Sequence, residues 1–384
     1  MNYHKIQELS QIDQINWLRL ARTRNIGPKT FFKMLKIFNS ISLAIDNVSH
    51  FARQGGAKKP IIAFDKNLAE KEIAQTHKIG AKITYYCNKS YPKLLREIYD
   101  PPPLLTYKGN IEIFNNDILA IAGPRNASFN GKKFAHKIAQ DLGNHNIIIA
   151  SGMARGIDSY AHQGSLEKGT IAVLAGGVNN IYPPENANLY NNILENGLVI
   201  SENPISTLPK SINFPKRNRI ISGLALGVII VEAGVRSGTL ITARYATEQN
   251  REVMAVPGSP FDPRCHGSNR LIKDGATLIE NAGDVISNIK NLKNHNHNLE
   301  LYDNNDDIFD NFTPKIPMDD ILNSAKKEIL ENLSPSPTAL EELLEMIQIP
   351  TNIANIVLIQ LELADIIENN HDRINLKING DIRI

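Results

Sequence analysis

Cysteine, aromatic side chains and excess charge are all scarce in this sequence. Cys87 and Cys265 are its two cysteines, too few for a disulfide framework or a structural zinc site. The formal net charge is +2 over 384 residues, so no electrostatic field around the whole molecule attracts polyanions. Any nucleic-acid site must therefore be a local patch of basic residues.

Long apolar runs are also missing. The longest, at residues 220–231, is interrupted by Ser222, Gly223 and Gly227 and is too short to span a bilayer. The first residues, MNYHKIQELSQ, lack the basic and apolar regions of a signal peptide. We therefore expect a soluble cytoplasmic protein without a membrane partner.

Short apolar runs and helix-periodic segments alternate between residues 117 and 290. Apolar residues make up 42% of a chain that is too long for one ordinary core, so two or three domains are expected. The alternation predicts an α/β fold with a doubly wound parallel sheet that carries helices on both faces. The predicted strands are 118–121, 147–150, 171–174, 198–200, 228–231 and 253–256, and the predicted helices are 159–168, 185–196 and 239–250.

The N-terminal segment, residues 1–79, is predicted to be helical, with an Ile26-Gly27-Pro28 turn between two helices. One interpretation is a helix-hairpin-helix unit, in which the hairpin glycine exposes N–H groups to a phosphate. The other is a tight turn in a small bundle, and the absence of a strongly basic flank favours it. Apolar runs within residues 80–116 are predicted to extend the sheet.

The last quarter of the chain contains two segments of different composition. Residues 291–317 are rich in Asn and Asp and lack periodicity, which predicts a linker. Residues 318–384 contain three helix candidates and a hairpin, an order typical of a winged helix. The third candidate, TNIANIVLIQLELA, has no Arg or Lys, whereas a helix that reads the major groove needs basic or amide side chains. This favours protein interaction over DNA reading. The predicted domains are 1–79, 80–290, a linker at 291–317, and 318–384.

Two nucleotide-binding signatures fail. Gly131-Lys132 looks like the end of a P-loop, but Asn126 stands where the first glycine is needed and Lys133 replaces the magnesium-binding hydroxyl. Gly152 and Gly156 form only G-x-x-x-G, so the dinucleotide fingerprint is also missing. ATP hydrolysis and hydride transfer are therefore not expected.

Glycine-bearing turns follow the predicted strands and meet at the carboxyl edge of the sheet. Glycine permits close backbone approach, and the following helix N-termini present unpaired N–H groups. Several such turns fit a run of phosphates, although turns of this kind also need glycine for steric reasons alone. The candidate binding residues in the turns are Arg125 and Ser128, then Gly152, Arg155 and Gly156, then Arg236, Ser237 and Gly238.

The most basic stretch is FPKRNR, within a run from Asn203 to Val231 that has no acidic residue. Its cations are suited to phosphates, and its ring or a guanidinium plane is suited to stacking on a base. The alternatives are a solvated basic loop or an internal ion-pair cluster, in which an arginine faces Glu202 or Glu232. The candidate residues are Phe214, Lys216, Arg217, Asn218 and Arg219.

Catalytic candidates are few. Asp158 and His162 share a helix face, as an acid/base pair or two metal ligands would, but an N-cap aspartate bonded to the histidine explains the same spacing. Glu232, at a strand end, is a second candidate, and its alternative role is to anchor an arginine. Because no nucleophile or third ligand accompanies them, we assign no catalytic residue, metal or cofactor.

Taken together, these segments resemble the DNA processing protein A family, also called DprA or Smf. YPKLLREIYDPPPLL is similar to the family's lead-in to the sheet, and the flanks match as SAM- or helix-hairpin-helix-like and winged-helix-like domains. The motifs that carry the resemblance cover most of residues 117–280 in order: AIAGPR, IIIASGMARGIDSYAH, GTIAVLAGGVNNIYPPEN, LVISENP, FPKRNRIISGLALGVIIVEAGVRSGTLITARYATEQNREVMAVPG and GSNRLIKDGA.

The resemblance implies an extended Rossmann-like fold that binds single-stranded DNA and loads RecA recombinase onto it, as in natural transformation. It also implies a homodimer formed through the Rossmann domain, and no catalysis. The family's DNA-contacting positions correspond to Arg125, Ser128 and the FPKRNR segment. Two departures are Pro124, which lacks an N–H before Arg125, and Glu185, which is acidic where some relatives have a cation.

Two other functions are consistent with parts of the chain. The lysine-decarboxylase-like Rossmann enzymes hydrolyse nucleoside monophosphates with a glycine-rich loop and a glutamate, and residues 234–239 with Glu232 partly resemble that loop. The third possibility is a double-stranded DNA or regulator-binding role centred on the C-terminal domain.

Overall fold

The computed structural model describes residues 6–300, 319–370 and 373–377, with the backbone alone at 292–300 and 370. They form two compact units, one drawn from Met1–Lys71 together with Asp307–Ile384 and the other from Glu72–Asp306. Within the described residues, no helix combines the length and the apolar character that a membrane span requires.

The described secondary structure is numbered along the chain. The helices are α1 (Gln11–Arg22), α2 (Pro28–Phe38), α3 (Ile41–Gly55), α4 (Lys66–Lys78), α5 (Lys93–Arg96), α6 (Phe129–Gly143), α7 (Ile157–Ser165), α8 (Ala187–Asn196), α9 (Asn213–Gly223), α10 (Thr239–Glu248), α11 (His266–Lys273), α12 (Ala282–Glu300), α13 (Asp319–Asn332), α14 (Leu340–Met346) and α15 (Thr351–Leu363). The strands are β1 (Lys82–Tyr85), β2 (Leu104–Gly109), β3 (Ile118–Ala122), β4 (Ile148–Ser151), β5 (Thr170–Val173), β6 (Leu198–Ser201), β7 (Gly227–Ile230), β8 (Glu252–Ala255), β9 (Thr277–Leu278), β10 (Thr338–Ala339), β11 (Ile367–Asn370) and β12 (Arg373–Leu376).

The unit from Glu72 to Asp306 is built on one sheet, whose described strands lie in the order β1-β2-β6-β5-β4-β3-β7-β8-β9. From β3 to β6 the chain winds toward one edge, and from β7 to β9 it winds toward the other. The strands from β6 to β9 in this order are parallel, while β1 and β2 join antiparallel at one edge. The α/β fold with a doubly wound parallel sheet is therefore confirmed, and so is the extension from residues 80–116.

Both faces of the sheet are apolar, and alternate residues of each strand are buried on opposite sides. Ile118 and Ala120 of β3 belong to one core cluster, which α9 and α10 cover. Leu119 and Ile121 belong to the other, which α6, α7 and α12 cover. Burial on both faces explains why these strands read as continuous apolar runs in the sequence.

The predicted strands match the described ones to within one residue at every end. FPKRNR lies in the first turns of α9, so the alternative of a solvated basic loop is wrong; the apolar periodicity of that helix begins only after the basic residues. Helix α12 continues to Glu300, into the segment predicted as a linker at 291–317, and the linker stays a prediction. The rest of that linker lies outside the described residues.

The other unit combines the helical N-terminal segment with the winged helix. Asn25, at φ 63°, and the N-cap Gly27 form the turn between α1 and α2, whose packed rings include Trp17 and Phe31. In the C-terminal segment, α13 to α15 accompany a small sheet in the order β10-β12-β11, which confirms the winged-helix prediction. The three predicted domain boundaries stay a prediction.

Candidate nucleic-acid interface

The candidate site lies where the two halves of the sheet diverge. Strand β3 pairs with β4 on one side and with β7 on the other, so the loops that follow β3 and β7 lead in opposite directions. A crevice outside the carboxyl ends of the strands at such a switch point is where open α/β sheets bind ligands.

Ser128 and Glu232 hold these two loops together. The Ser128 hydroxyl accepts a hydrogen bond from the Gly131 N–H at 2.8 Å, which caps α6, and donates to Glu232 Oε1 at 2.5 Å. The Ser128 N–H donates to Glu232 Oε2 at 3.0 Å. The suggestion that Glu232 anchors an arginine is therefore wrong, because its carboxylate is buried and bonded to Ser128.

A guanidinium and two rings are stacked at this edge. Arg125, in the loop after β3, lies with its Cζ 4.9 Å from the ring centroid of Phe214, at the start of α9. The Phe214 ring meets the Tyr182 ring edge-on at 5.6 Å between centroids, and Tyr182 is 40% exposed. Arg125 is exposed and forms no ion pair with any residue that the structure describes. We call this group the Arg125–Phe214–Tyr182 stack.

The helical conformation of FPKRNR separates its cations onto different faces. Lys216 is exposed and Asn218 is half-buried, whereas Arg217 and Arg219 are 5% and 6% exposed. The three cations therefore do not form one exposed patch, as a loop would have allowed.

Arg219 is part of an internal ion-pair cluster. Its guanidinium pairs with Glu202, lies 3.4 Å from the Asp100 carboxylate and donates to the Asp100 carbonyl at 2.6 Å. Burial opposes its charge, but the two carboxylates outweigh burial and raise the pKa of Arg219. The cluster alternative holds for this residue, and the expected phosphate contact does not fit its burial.

Arg217 fills the space beneath the loop after β4. It donates to the Val173 carbonyl at 2.5 Å, and a Cβ at Gly152 would overlap its guanidinium. Burial lowers the pKa of Arg217 to about 10, although the nearby Asp158 carboxylate opposes this effect. Arg217 is still charged at neutral pH, so a buried positive charge lies under this edge. Gly152 makes room for that charge.

Asp158 and His162 are not the pair that their spacing suggested. Gly156 is the N-cap of α7, and the Asp158 carboxylate accepts from the Ala154 N–H at 3.3 Å. His162 Nδ1 instead lies 2.8 Å from Thr170 Oγ1. In the described part of the chain, no group of three His, Cys, Asp or Glu side chains is arranged to hold a metal ion.

The remaining predicted residues lie in the loops after β4 and β7. A Cβ at Gly156, where φ is 75°, would overlap the Pro124 and Arg125 carbonyl oxygens, so this glycine permits two loops to touch. Arg155 is exposed and forms an ion pair with Glu185. This ion pair raises the pKa of Arg155 and lowers the pKa of Glu185.

In the loop after β7, Ser237 donates to the Thr239 hydroxyl at 2.9 Å. Gly238 is the N-cap of α10, and an added Cβ there would meet nothing within 4 Å. Arg236 is exposed and has no ion-pair partner among the described residues.

The structure adds Tyr182 and Lys210, which were not among the residues predicted from the sequence. Tyr182 stands beside two prolines in the loop before α8, and its position just before the predicted helix at 185–196 was the available signal. Lys210 is exposed in the loop between β6 and α9, and it lies inside the acid-free run that contains FPKRNR.

Comparison with known proteins covers all three segments of the chain. Family models match as DNA recombination-mediator protein A over residues 82–290, a DprA-like N-terminal HHH domain over 11–74, and a DprA winged helix domain over 314–372. The DNA processing protein DprA of Bacillus subtilis is 43% identical over 264 residues, 67% of this chain and 89% of that protein. The DprA of Streptococcus pneumoniae is 44% identical over 191 residues, 49% of this chain and 67% of that protein.

Two solved structures of this class are also similar. The DprA structure from Streptococcus pneumoniae is 33% identical with a TM-score of 0.61 and covers 73% of this chain and 98% of that one. The Helicobacter pylori structure, described for its single-stranded DNA binding mode, is 28% identical with a TM-score of 0.51, covering 56% of this chain and 96% of that one. Fold and matches define a Rossmann-like DNA recombination mediator. The chain belongs to the DNA processing protein A family, DprA or Smf.

His162 makes stability depend on pH. Burial, followed by the Arg217 charge, lowers its pKa from 6.5 to about 3. The unfolded chain therefore binds this proton more tightly, so the contribution is complete above pH 6.5 and is lost as the pH falls toward 3. We expect His162→Gln to remove about 1.4 kcal/mol per pH unit from the pH dependence of the free energy of unfolding between pH 6 and 4. Urea titrations at each pH measure this slope.

His145→Gln is the matched control, because His145 is exposed. Its slope should equal that of the wild type. An unchanged slope in His162→Gln would show that His162 is not held neutral in the folded state.

Proposed function

We propose that this chain binds single-stranded DNA along the carboxyl edge of its large sheet and mediates recombination. The observation that carries the proposal is the Arg125–Phe214–Tyr182 stack, which presents an unpaired cation and two rings at the switch point of the sheet. The family's recombination-mediator description and the single-stranded DNA bound by the Helicobacter pylori relative support it.

The charge at this edge favours a polyanion. Arg125, Lys210, Lys216 and Arg236 are exposed and lack ion-pair partners among the described residues. Arg217 adds a positive charge that is buried beneath this edge and is not exposed to solvent. Because the net charge is only +2, attraction depends on this local group, which phosphates would neutralise with release of counterions.

The rings favour a single strand over a duplex. A base can stack on Phe214 or Tyr182 only when its face is free, which holds for unpaired bases. Both rings are beside cations that suit the neighbouring phosphates. Rings and cations close together are what sequence-tolerant binding of single strands needs, since every base has a face to stack.

The predicted site residues divide into three groups under this proposal. Arg125, Phe214, Lys216 and Asn218 line the DNA path, and Arg155, Arg236, Ser237 and Gly238 flank it. Exposed ion pairs contribute little to stability, so Arg155 can exchange Glu185 for a phosphate at low cost. The remaining residues support the loops from inside: Ser128, Gly152, Gly156, Arg217 and Arg219.

We infer no catalytic role. The nucleotide-hydrolase alternative needs Glu232 free to act on a ligand, but both of its carboxylate oxygens accept bonds from Ser128. It is also 5% exposed. The bonds to Ser128 fit a structural part for Glu232, so the geometry does not favour hydrolysis.

Anisotropy of a labelled oligo-dT strand tests the DNA path. Arg125→Ala/Lys216→Ala removes two exposed cations. We expect its affinity to fall at least about tenfold at low salt, and its salt slope to drop by about 0.7 for each phosphate that is no longer neutralised. Phe214→Leu should cost about 1–3 kcal/mol of binding free energy because a base can no longer stack there, with the salt slope unchanged.

Lys290→Ala, an exposed lysine on α12, is the matched control and should bind as the wild type does. Equal binding by the double variant and the wild type would refute the site. An equal loss in the control would show that binding follows overall charge instead.

We further infer that the chain forms a homodimer through its Rossmann-like unit and loads RecA onto the bound strand, which membership of the family supports. Light scattering should then give twice the chain mass of 42.7 kDa. On a strand coated with single-strand-binding protein, the wild type should shorten the lag before RecA hydrolyses ATP, and Arg125→Ala/Lys216→Ala should not. A monomer, or a lag that the wild type leaves unchanged, would contradict these two inferences.

A further inference from the structure

The third helix of the winged helix, α15, is buried around its whole circumference. Successive residues Ile356, Val357, Leu358 and Ile359 are each 2% exposed or less, and so are Gln360 and Leu361. Because neighbouring residues point about 100° apart around a helix, burial of six in a row requires packing on opposite sides. A DNA-reading helix would instead leave one face open for the major groove.

Two different partners cover α15. Its own domain covers one side through α13 and β11, and the N-terminal helices α2 and α3 cover another. A Cβ at Gly55, the last residue of α3, would overlap the Gln360 carbonyl oxygen, so the two helix backbones touch at this point. Any residue with a Cβ at position 55 would prevent this approach, and the sequence has glycine there.

Specific hydrogen bonds accompany this packing. Gln360 Nε2 donates to Gln54 Oε1 at 2.7 Å, and Thr30 Oγ1 donates to Glu362 Oε2 at 3.0 Å. Asn25 Nδ2 donates to the Leu363 carbonyl at 3.1 Å. These bonds satisfy polar groups that docking would otherwise bury without partners, which ties the surface to one partner and one register.

Gln54 extends the contact from α15 to α13. Its Nε2 donates to Asp319 Oδ1 at 2.7 Å, and its backbone carbonyl accepts from Lys326 Nζ at 2.9 Å. Burial lowers the pKa of Lys326, as expected for an ammonium covered by a neighbouring domain. The N-terminal domain therefore contacts two helices of the winged helix.

We propose that α15 is a docking surface for the chain's own N-terminal domain and does not read DNA, so that the two ends of the chain act as one module. The absence of Arg and Lys from α15 agrees with this assignment, since the helix has no cationic side chain to neutralise DNA phosphates. The proposal is independent of the single-stranded DNA site, which is built from the other unit.

Gly55→Ala tests the contact from the N-terminal side. Alanine forms helices better than glycine, so α3 itself should tolerate the change, while the added methyl group blocks the approach of Gln360. Glu362→Arg tests it from the other side, by replacing the acceptor of the Thr30 bond with a longer cation. Gly27→Ser is the matched control, because serine suits this N-cap and an added Cβ meets nothing within 4 Å.

A protease site is inserted within residues 301–318 of the full-length chain. Cleavage there removes the covalent link, so that only the docking contact can hold the two fragments together. After cleavage, the C-terminal fragment should co-elute with the rest of the protein in size-exclusion chromatography for the wild type and for Gly27→Ser. It should elute separately for Gly55→Ala and Glu362→Arg. Separate elution in the wild type, or co-elution in either disrupting variant, would overturn the docking proposal.

Duplex DNA provides the second readout on the uncleaved protein. Release of α15 should leave the affinity of Gly55→Ala for duplex DNA unchanged, since the exposed helix of that variant has no cation; Glu362→Arg adds a cation to α15 and is left out of this readout. A gain in duplex affinity for Gly55→Ala over the wild type would identify α15 as a covered DNA-reading helix and would overturn the second half of the proposal. Far-ultraviolet circular dichroism checks that both variants keep the helical content of the wild type.

Discussion

The bond between Ser128 and Glu232 is the interaction on which the candidate site depends. The sheet changes direction between β3 and β7, so the two loops at its switch point would separate without a link. Ser128 supplies that link and caps α6 with the same hydroxyl group. The cap and the bridge fix the end of the loop that carries Arg125, where it enters α6. The guanidinium is thereby placed against Phe214, which comes from a helix far along the chain.

The buried arginines contribute a second constraint from below. Arg219 is neutralised by Glu202 and Asp100, so it orders α9 without adding much field at the surface. Among the described residues, Asp158 is the carboxylate that favours the charge of Arg217, whose guanidinium lies against Gly152. One cation thus stabilises the scaffold, and the other makes the edge more positive. Because both arginines are buried, a survey of the exposed lysine and arginine side chains would not distinguish these two roles.

Local patterns in the sequence predicted the central strands because β3 to β7 are buried on both faces, and that burial produces continuous apolar runs. The helical start of FPKRNR was missed, since its polar residues precede the apolar face of α9. The partners of the buried charged side chains were still harder to predict from the sequence. Glu232 lies 104 positions from Ser128, and Asp100 lies 119 from Arg219, so only the folded chain brings them together. The coverage of α15 by α3 depends on a contact of the same kind.

Photocrosslinking of a 5-iodouracil oligonucleotide to the full-length protein, read by mass spectrometry, shows which side chains contact the bases of the bound strand. We expect crosslinks at Phe214 and Tyr182, where bases stack beside Arg125. Phe129 and Phe261 are 80% and 94% exposed, so they report labelling that follows exposure alone. Crosslinks at those two rings, with none at Phe214 or Tyr182, would contradict the proposed DNA path.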